Sequence, residues 1–87
     1  MKELHITITN AVGLHARPAS LFVQTASKFE SEIGVSYEGT SKSAKSILGV
    51  LSLGIGANSK ITITANGADE EQAINALSEL IASNFGE

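Results

Sequence analysis

The stretch ITITANGADEEQAINALSELI, residues 61–81, changes its apolar period partway along. Before Gly67, Ile61, Ile63 and Ala65 alternate with Thr62 and Thr64. A period of two turns one face to a core and the other to water, so this is a half-buried strand. After Gly67, the residues Ala73, Ile74, Leu77, Leu80, Ile81 and, further on, Phe85 recur at helical spacing and form a long amphipathic helix. Gly67 turns the chain between the two. Asp69 with Gln72 resembles a capping box, with Asp in the cap role. A one-faced strand running into a one-faced helix implies two layers, an antiparallel sheet wet on one side and covered by helices on the other.

The same two periods organise the rest of the chain. Leu4, Ile6 and Ile8 alternate with His5, Thr7 and Thr9, a first strand that ends over Asn10–Gly13. From Ala16 onward Ala19, Phe22, Val23, Ala26 and Phe29 make one helical stripe. Ile33, Val35 and Tyr37 alternate again to Glu38, where Glu38-Gly39 signals a turn. Thr40 to Ala44 is a short polar strand suited to a sheet edge. Ser46 opens a short helix through Ile47, Leu48, Val50 and Leu51, stopped by Gly54 and Gly56. The order is β-α-β-β-α-β-α: an α+β, open-faced β-sandwich, four antiparallel strands with three helices on one face. With no repeat, linker or low-complexity tract, residues 1–87 read as one domain.

Composition narrows the function classes. The chain has 87 residues, 43% hydrophobic and 17% charged, and a net charge of −3. A domain of this size buries roughly 60–65% of its unfolded surface, enough for one core but not for a deep catalytic cavity as well. The acidic balance argues against direct nucleic-acid binding. No cysteine is present, so there is no disulfide staple and no thiolate metal site. The most apolar run, Ile47 to Ala57, is too short to span a bilayer and contains three glycines. The N-terminus lacks the apolar core of a signal peptide. The expectation is a soluble, cytoplasmic protein with its chemistry on the surface, at a loop or helix end.

GLHARPAS, residues 13–20, offers such a place. Gly13 breaks the strand, Leu14 returns to the core, and His15 falls near the N-cap of the first helix. Pro18 belongs in the first turn, where a missing N–H costs little. The free amides of Ala16 and Arg17 would face outward beside the ring. A helix N-terminus favours anions and disfavours the imidazolium, which keeps a ring nitrogen available as a nucleophile. The Arg17 guanidinium suits phosphate oxygens. From the residues alone, a plain cap at His15 and a solvated Arg17 remain open.

GLHARPA (13–19) resembles the active-site signature of the HPr family, the histidine-containing phosphocarriers of the bacterial phosphoenolpyruvate–sugar phosphotransferase system. The resemblance continues through VQTASKF (23–29), AKSILGVLSLGI (44–55) and ITITANGADE (61–70), nearly the whole chain. It implies an open-faced sandwich with strand order 1-4-2-3. It implies that His15 takes a phosphoryl group on Nδ1 from phospho-Enzyme I and passes it to EIIA domains of sugar permeases, while Arg17 and the Ala16 amide steady the phosphate. It implies a stoichiometric carrier rather than an enzyme, a monomer, with no cofactor and no metal.

The resemblance also bears on Lys45-Ser46-Ile47-Leu48. Ser46 is a good N-cap in its own right. In the Gram-positive form of the family, which SILGVLSLGI and QTASKF resemble more, the matching serine is phosphorylated by HPr kinase/phosphorylase with ATP. The product serves the regulator CcpA in carbon catabolite repression. Lys45 is adjacent to this serine, and Lys42 is expected near it. Ile47, Leu48 and Leu51 share one side of the short helix, with Val50 turned to the core. With Ser20, Leu21, Gln24 and Ser27 of the first helix they form the family's docking face for Enzyme I, EIIA and CcpA. A phosphate on Ser46 would repel acidic partner surfaces and attract basic ones.

Departures from the family pattern are few. Val12 stands where a polar residue is commoner, Lys42 where a small or apolar one is, and Leu48 and Leu51 where methionine is frequent. His5 reads as an ordinary sheet-face residue, and its distance in sequence and setting from His15 argues against a metal pair. Asp69-Glu70-Glu71 reads as compensation of the last helix dipole. Two other readings stand beside the carrier: a regulatory-only HPr paralogue, whose known forms lack the histidine, and a structural or ligand-binding α/β domain without transfer chemistry.

Overall fold

A computed structural model describes residues 1–9 and 13–86. Its elements are β1 (Lys2–Thr7), α1 (Ala16–Ala26), β2 (Glu32–Tyr37), β3 (Thr40–Ser43), α2 (Ile47–Ser52), β4 (Lys60–Asn66) and α3 (Glu70–Ala82), with a short turn at Asn84–Gly86. The strands form one antiparallel sheet in the order β1-β4-β2-β3. The strand order expected from the family resemblance is therefore present.

The pleat decides which residues meet the helices. Leu4 lies opposite Ile63 and Ile6 opposite Ile61, while Ile33 lies opposite Ala65 and Val35 opposite Ile63. These side chains share one face, and the core builds on it with Phe22 and Ala26 of α1, Val50 of α2, and Leu77 and Ile81 of α3. Each large apolar side chain so buried contributes about 1.5–3 kcal/mol. The other face carries Glu3, His5, Thr62, Ser36 and Ser41, and hydroxyl pairs such as Ser36–Ser41, 2.6 Å apart, cross it. Glu38 and Gly39 both take positive φ, 48° and 82°, between paired Tyr37 and Thr40. That is the backbone a two-residue hairpin turn needs.

All four residues of β3 are exposed, as suits a polar strand at the sheet edge. Two expectations are corrected here. Phe85 does not continue α3: the helix ends at Ala82, and Phe85 re-enters the core from a turn in which it has φ 58°. The capping box at Asp69 does not form, because the Asp69 side chain makes no bond to its own helix. Its carboxylate instead accepts the N–H groups of Glu30 and Ser31, both at 2.9 Å, and the Ser31 hydroxyl. Ser31 is 1% exposed, so these bonds hold the α1–β2 connection against the start of α3. They also hold the carboxyl below the usual aspartate value, the Ser31 hydroxyl most of all and the Glu30 amide next. Val12 lies outside the described residues. Among those described, no helix is long and apolar enough to cross a membrane.

Candidate functional site

The site begins with the way the chain enters α1. Gly13 has φ +67°, and a β-carbon there would fall 2.6 Å from Gly56 Cα and from the Ile55 carbonyl oxygen. Only glycine permits this backbone and this approach. Leu14 follows, 4% exposed, its N–H donating to the Ile55 carbonyl at 2.9 Å. The chain is thus held against the Ile55–Gly56 segment just before it reaches His15.

His15 is the N-cap of α1, with φ −77° and ψ −172°, and its carbonyl accepts the Ala19 N–H at 2.8 Å. Its backbone caps the helix but its side chain does not: the ring makes no cap hydrogen bond and is exposed. The plain-cap reading of the side chain therefore loses its bond. Pro18 sits buried in the first turn, as its missing donor requires. The Ala16 and Arg17 amides have no acceptor among the described residues, and the Arg17 side chain has no ion pair or hydrogen bond there. Two open N–H groups, a guanidinium and an imidazole, none with a partner among the described residues, occupy one exposed helix end. Such an end is a ready place for an anion.

A shallow depression of about 280 Å³ runs from this end between Leu14, His15, Ala16, Leu51 and the segment Gly54–Gly56. It joins the histidine to the apolar surface of α2. There Leu48 is 77% exposed, Ile47 and Leu51 37% each, and Val50 fully buried. With Met1, these three are the only large hydrophobic side chains exposed among the described residues. From α1, Gln24 and Ser27 are exposed and Ser20 and Leu21 half-buried, with the Gln24 amide donating to the Ser20 hydroxyl at 3.2 Å. Helices α1 and α2 pack against each other, and Leu21 also packs on the core.

Ser46 is the N-cap of α2, and its hydroxyl oxygen accepts the Gly49 N–H at 3.1 Å. The neighbouring Lys45 does not turn toward it. Its ammonium donates to the Phe29 carbonyl at 2.6 Å, beyond the C-terminal end of α1. His5 is bound on the open sheet face, with Nε2 2.8 Å from Glu3 Oε1 and Nδ1 3.0 Å from Thr62 Oγ1. A larger depression of about 400 Å³ lies beside it, away from the loop and the apolar patch. Among the described residues no group of three or more potential metal ligands occurs.

One part of the site was not read from the sequence. Gly54 and Gly56 signal a stop after α2, and Gly54 does take φ +64°. That the next residues would form a wall of the histidine's depression and press on Gly13 is a long-range contact with no local signature.

The family model described as the PTS HPr component phosphorylation site matches residues 2–83. The solved structure of HPr from Thermoanaerobacter tengcongensis is 55% identical, with all of this chain and 98% of that one covered at a TM-score of 0.98. The same organism's HPr has also been solved as a dimer, matching at a TM-score of 0.81 with both chains fully covered. The phosphocarrier protein HPr of Bacillus anthracis is 42% identical, with 92% of this chain and 95% of that one covered, at 0.89. Crh, the catabolite repression HPr of Bacillus subtilis, is 35% identical over 92% of this chain and 95% of its own, at 0.68.

Proposed function

The chain belongs to the HPr family of phosphocarriers of the sugar phosphotransferase system, and from that premise we propose that His15 is the residue that carries its phosphoryl group. The observation that supports this most is the exposed ring of His15, unengaged among the described residues, at a helix start whose first amides lack acceptors there. The Nδ1 lone pair attacks the phosphorus of phospho-Enzyme I, the bond to the donor's nitrogen breaks, and the PO₃ unit rests on the imidazole. The Ala16 and Arg17 amides and the Arg17 guanidinium neutralise its oxygens. An EIIA nucleophile then attacks in line from the open side. A deep pocket with many ligands would hold the phosphate too tightly to release it, whereas a shallow one stabilises it modestly and leaves an approach path.

In this reading residues 1–87 act as one monomeric carrier domain in the cytoplasm, a stoichiometric relay rather than an enzyme. Ile47, Leu48 and Leu51, with Ser20, Leu21, Gln24, Ser27 and Lys45, dock Enzyme I and EIIA in turn. Apolar side chains this exposed beside a reactive group suit repeated, reversible docking. Phosphorylation of Ser46 by an ATP-dependent HPr kinase adds a dianion at the edge of that patch and serves CcpA as corepressor. The regulatory-only reading has less support, since Crh superposes less closely than the HPr relatives do and this chain keeps His15.

The test is one incubation with Enzyme I and phosphoenolpyruvate. A single acid-labile, base-stable phosphoryl group is expected, abolished by His15→Ala and intact in His5→Ala. Labelling that survives His15→Ala would overturn the assignment.

A further inference from the structure

Lys42, the lysine that departs from the family pattern, stands next to Ser46 in space. It pairs across the sheet with Val35, whose side chain is fully buried on the helix side. By the alternation of the pleat, Lys42 also leans toward the helix layer. Gly49, in the middle of α2, marks where it arrives. A β-carbon built on Gly49 would lie 3.2 Å from Ser46 Oγ and 3.3 Å from Lys42 Cβ. The serine oxygen and the base of the lysine side chain therefore both lie close to the one bare spot left by the missing side chain of Gly49.

The two nearby lysines are not equivalent. Lys45, adjacent in sequence, has its ammonium committed to the Phe29 carbonyl. Lys42 is exposed, and its ammonium has no ion-pair or hydrogen-bond partner among the described residues. A lysine is a point charge on a flexible stem, able to swing to an anion placed close to its own base.

We infer that Lys42 is the cation that pairs with a phosphate on Ser46. This rests on the reading of Ser46 as a modification site and adds what that site does with its charge. The group shown to a partner is then a phosphate–ammonium pair rather than a bare dianion. Repulsion of acidic surfaces by the modified patch is accordingly weakened, and a partner that reads the modified form meets Lys42 as well as the phosphate.

The test separates this pairing from the modification itself. Phosphoserine is installed at position 46 during translation, without any kinase, and the second ionisation of the phosphate is followed by ³¹P NMR against pH. A cation beside the phosphate favours its dianion and lowers the midpoint. Lys42→Gln is expected to raise that midpoint by about 0.3–0.5 pH unit, the scale of an exposed pair. Lys45→Gln should raise it less, and about 1 M salt should erase the difference. Both positions are exposed, so the variants fold, and an unchanged thermal midpoint of the unphosphorylated proteins checks it. A phosphate midpoint indifferent to Lys42, or more sensitive to Lys45, overturns the pairing. If the serine kinase leaves Ser46 untouched while the installed phosphate responds to Lys42, the modification reading fails and the pairing stands.

Discussion

The starts of α1 and α3 are built from similar parts and used in opposite ways. At α3 the N-cap side chain of Asp69 is fully engaged, accepting three hydrogen bonds from the α1–β2 connection. Behind it, Glu70 accepts the Gly67 N–H at 3.1 Å and meets the N-terminal ammonium at 3.2 Å. The Gly67 amide first, and the ammonium after it, hold the Glu70 carboxyl low. At α1 the N-cap side chain of His15 engages nothing among the described residues, and the first amides have no acceptor there. One helix end spends its polar groups on tertiary structure, and the other keeps them for something that arrives from outside. A helix start is thus no functional site in itself; what marks one is polar capacity left unused at that end.

Removing the device that holds the α1 start in place should have the largest effect. Gly13→Ala puts a methyl into the Gly56 backbone at a φ that alanine resists. It should cost about 2–4 kcal/mol in denaturant unfolding, and slow phosphoryl acceptance as His15 is displaced. Destabilisation without slower acceptance would mean that the loop does not position the ring.

At the α3 start, the effect should fall on stability alone. Asp69→Asn should lower the thermal midpoint at neutral pH by roughly 5–10 °C and leave phosphoryl acceptance unchanged. The pH dependence has a definite sign. The native carboxyl lies below its ordinary value of 3.8, so the stabilisation is complete above that value and is lost as pH falls through the native one. The gap between wild type and Asp69→Asn should therefore close on acidification below about pH 4. A gap constant with pH would show that the charge of Asp69 does not matter.

The smallest effect belongs to the third helix start. Ser46→Ala removes one cap bond on a six-residue helix and should cost about 0.5–1 kcal/mol. Unfolding curves that coincide would place α2's stability entirely in Val50 and its packing.

These differences track what a sequence can display. The change of period at Gly67, the half-buried alternation of β1, β2 and β4, and the separation of buried Val50 from exposed Leu48 were all legible, because periodicity is local. His15 and Ser46 were legible as helix starts for the same reason, and Pro18 sharpened the first. The destination of the Asp69 carboxylate was not, since its partners lie 38 and 39 residues away and a local capping box competes for the same group. Phe85 fits the helical stripe, yet the chain leaves the helix through left-handed turns at Asn84 and Phe85 that no period foretells. Gly13 against Gly56, and Lys45 on the Phe29 carbonyl, are likewise meetings of distant segments, visible only once the layers are stacked.

We propose that the open amides at the start of α1 receive the phosphate carried on His15. Amide ¹H–¹⁵N shifts, compared before and after phosphorylation by Enzyme I and phosphoenolpyruvate, test it directly. The Ala16 and Arg17 amides should move strongly downfield as they gain an acceptor, while those of Glu30 and Ser31, already bonded to Asp69, stay where they are. A stoichiometrically phosphorylated protein in which Ala16 and Arg17 do not move would contradict the account.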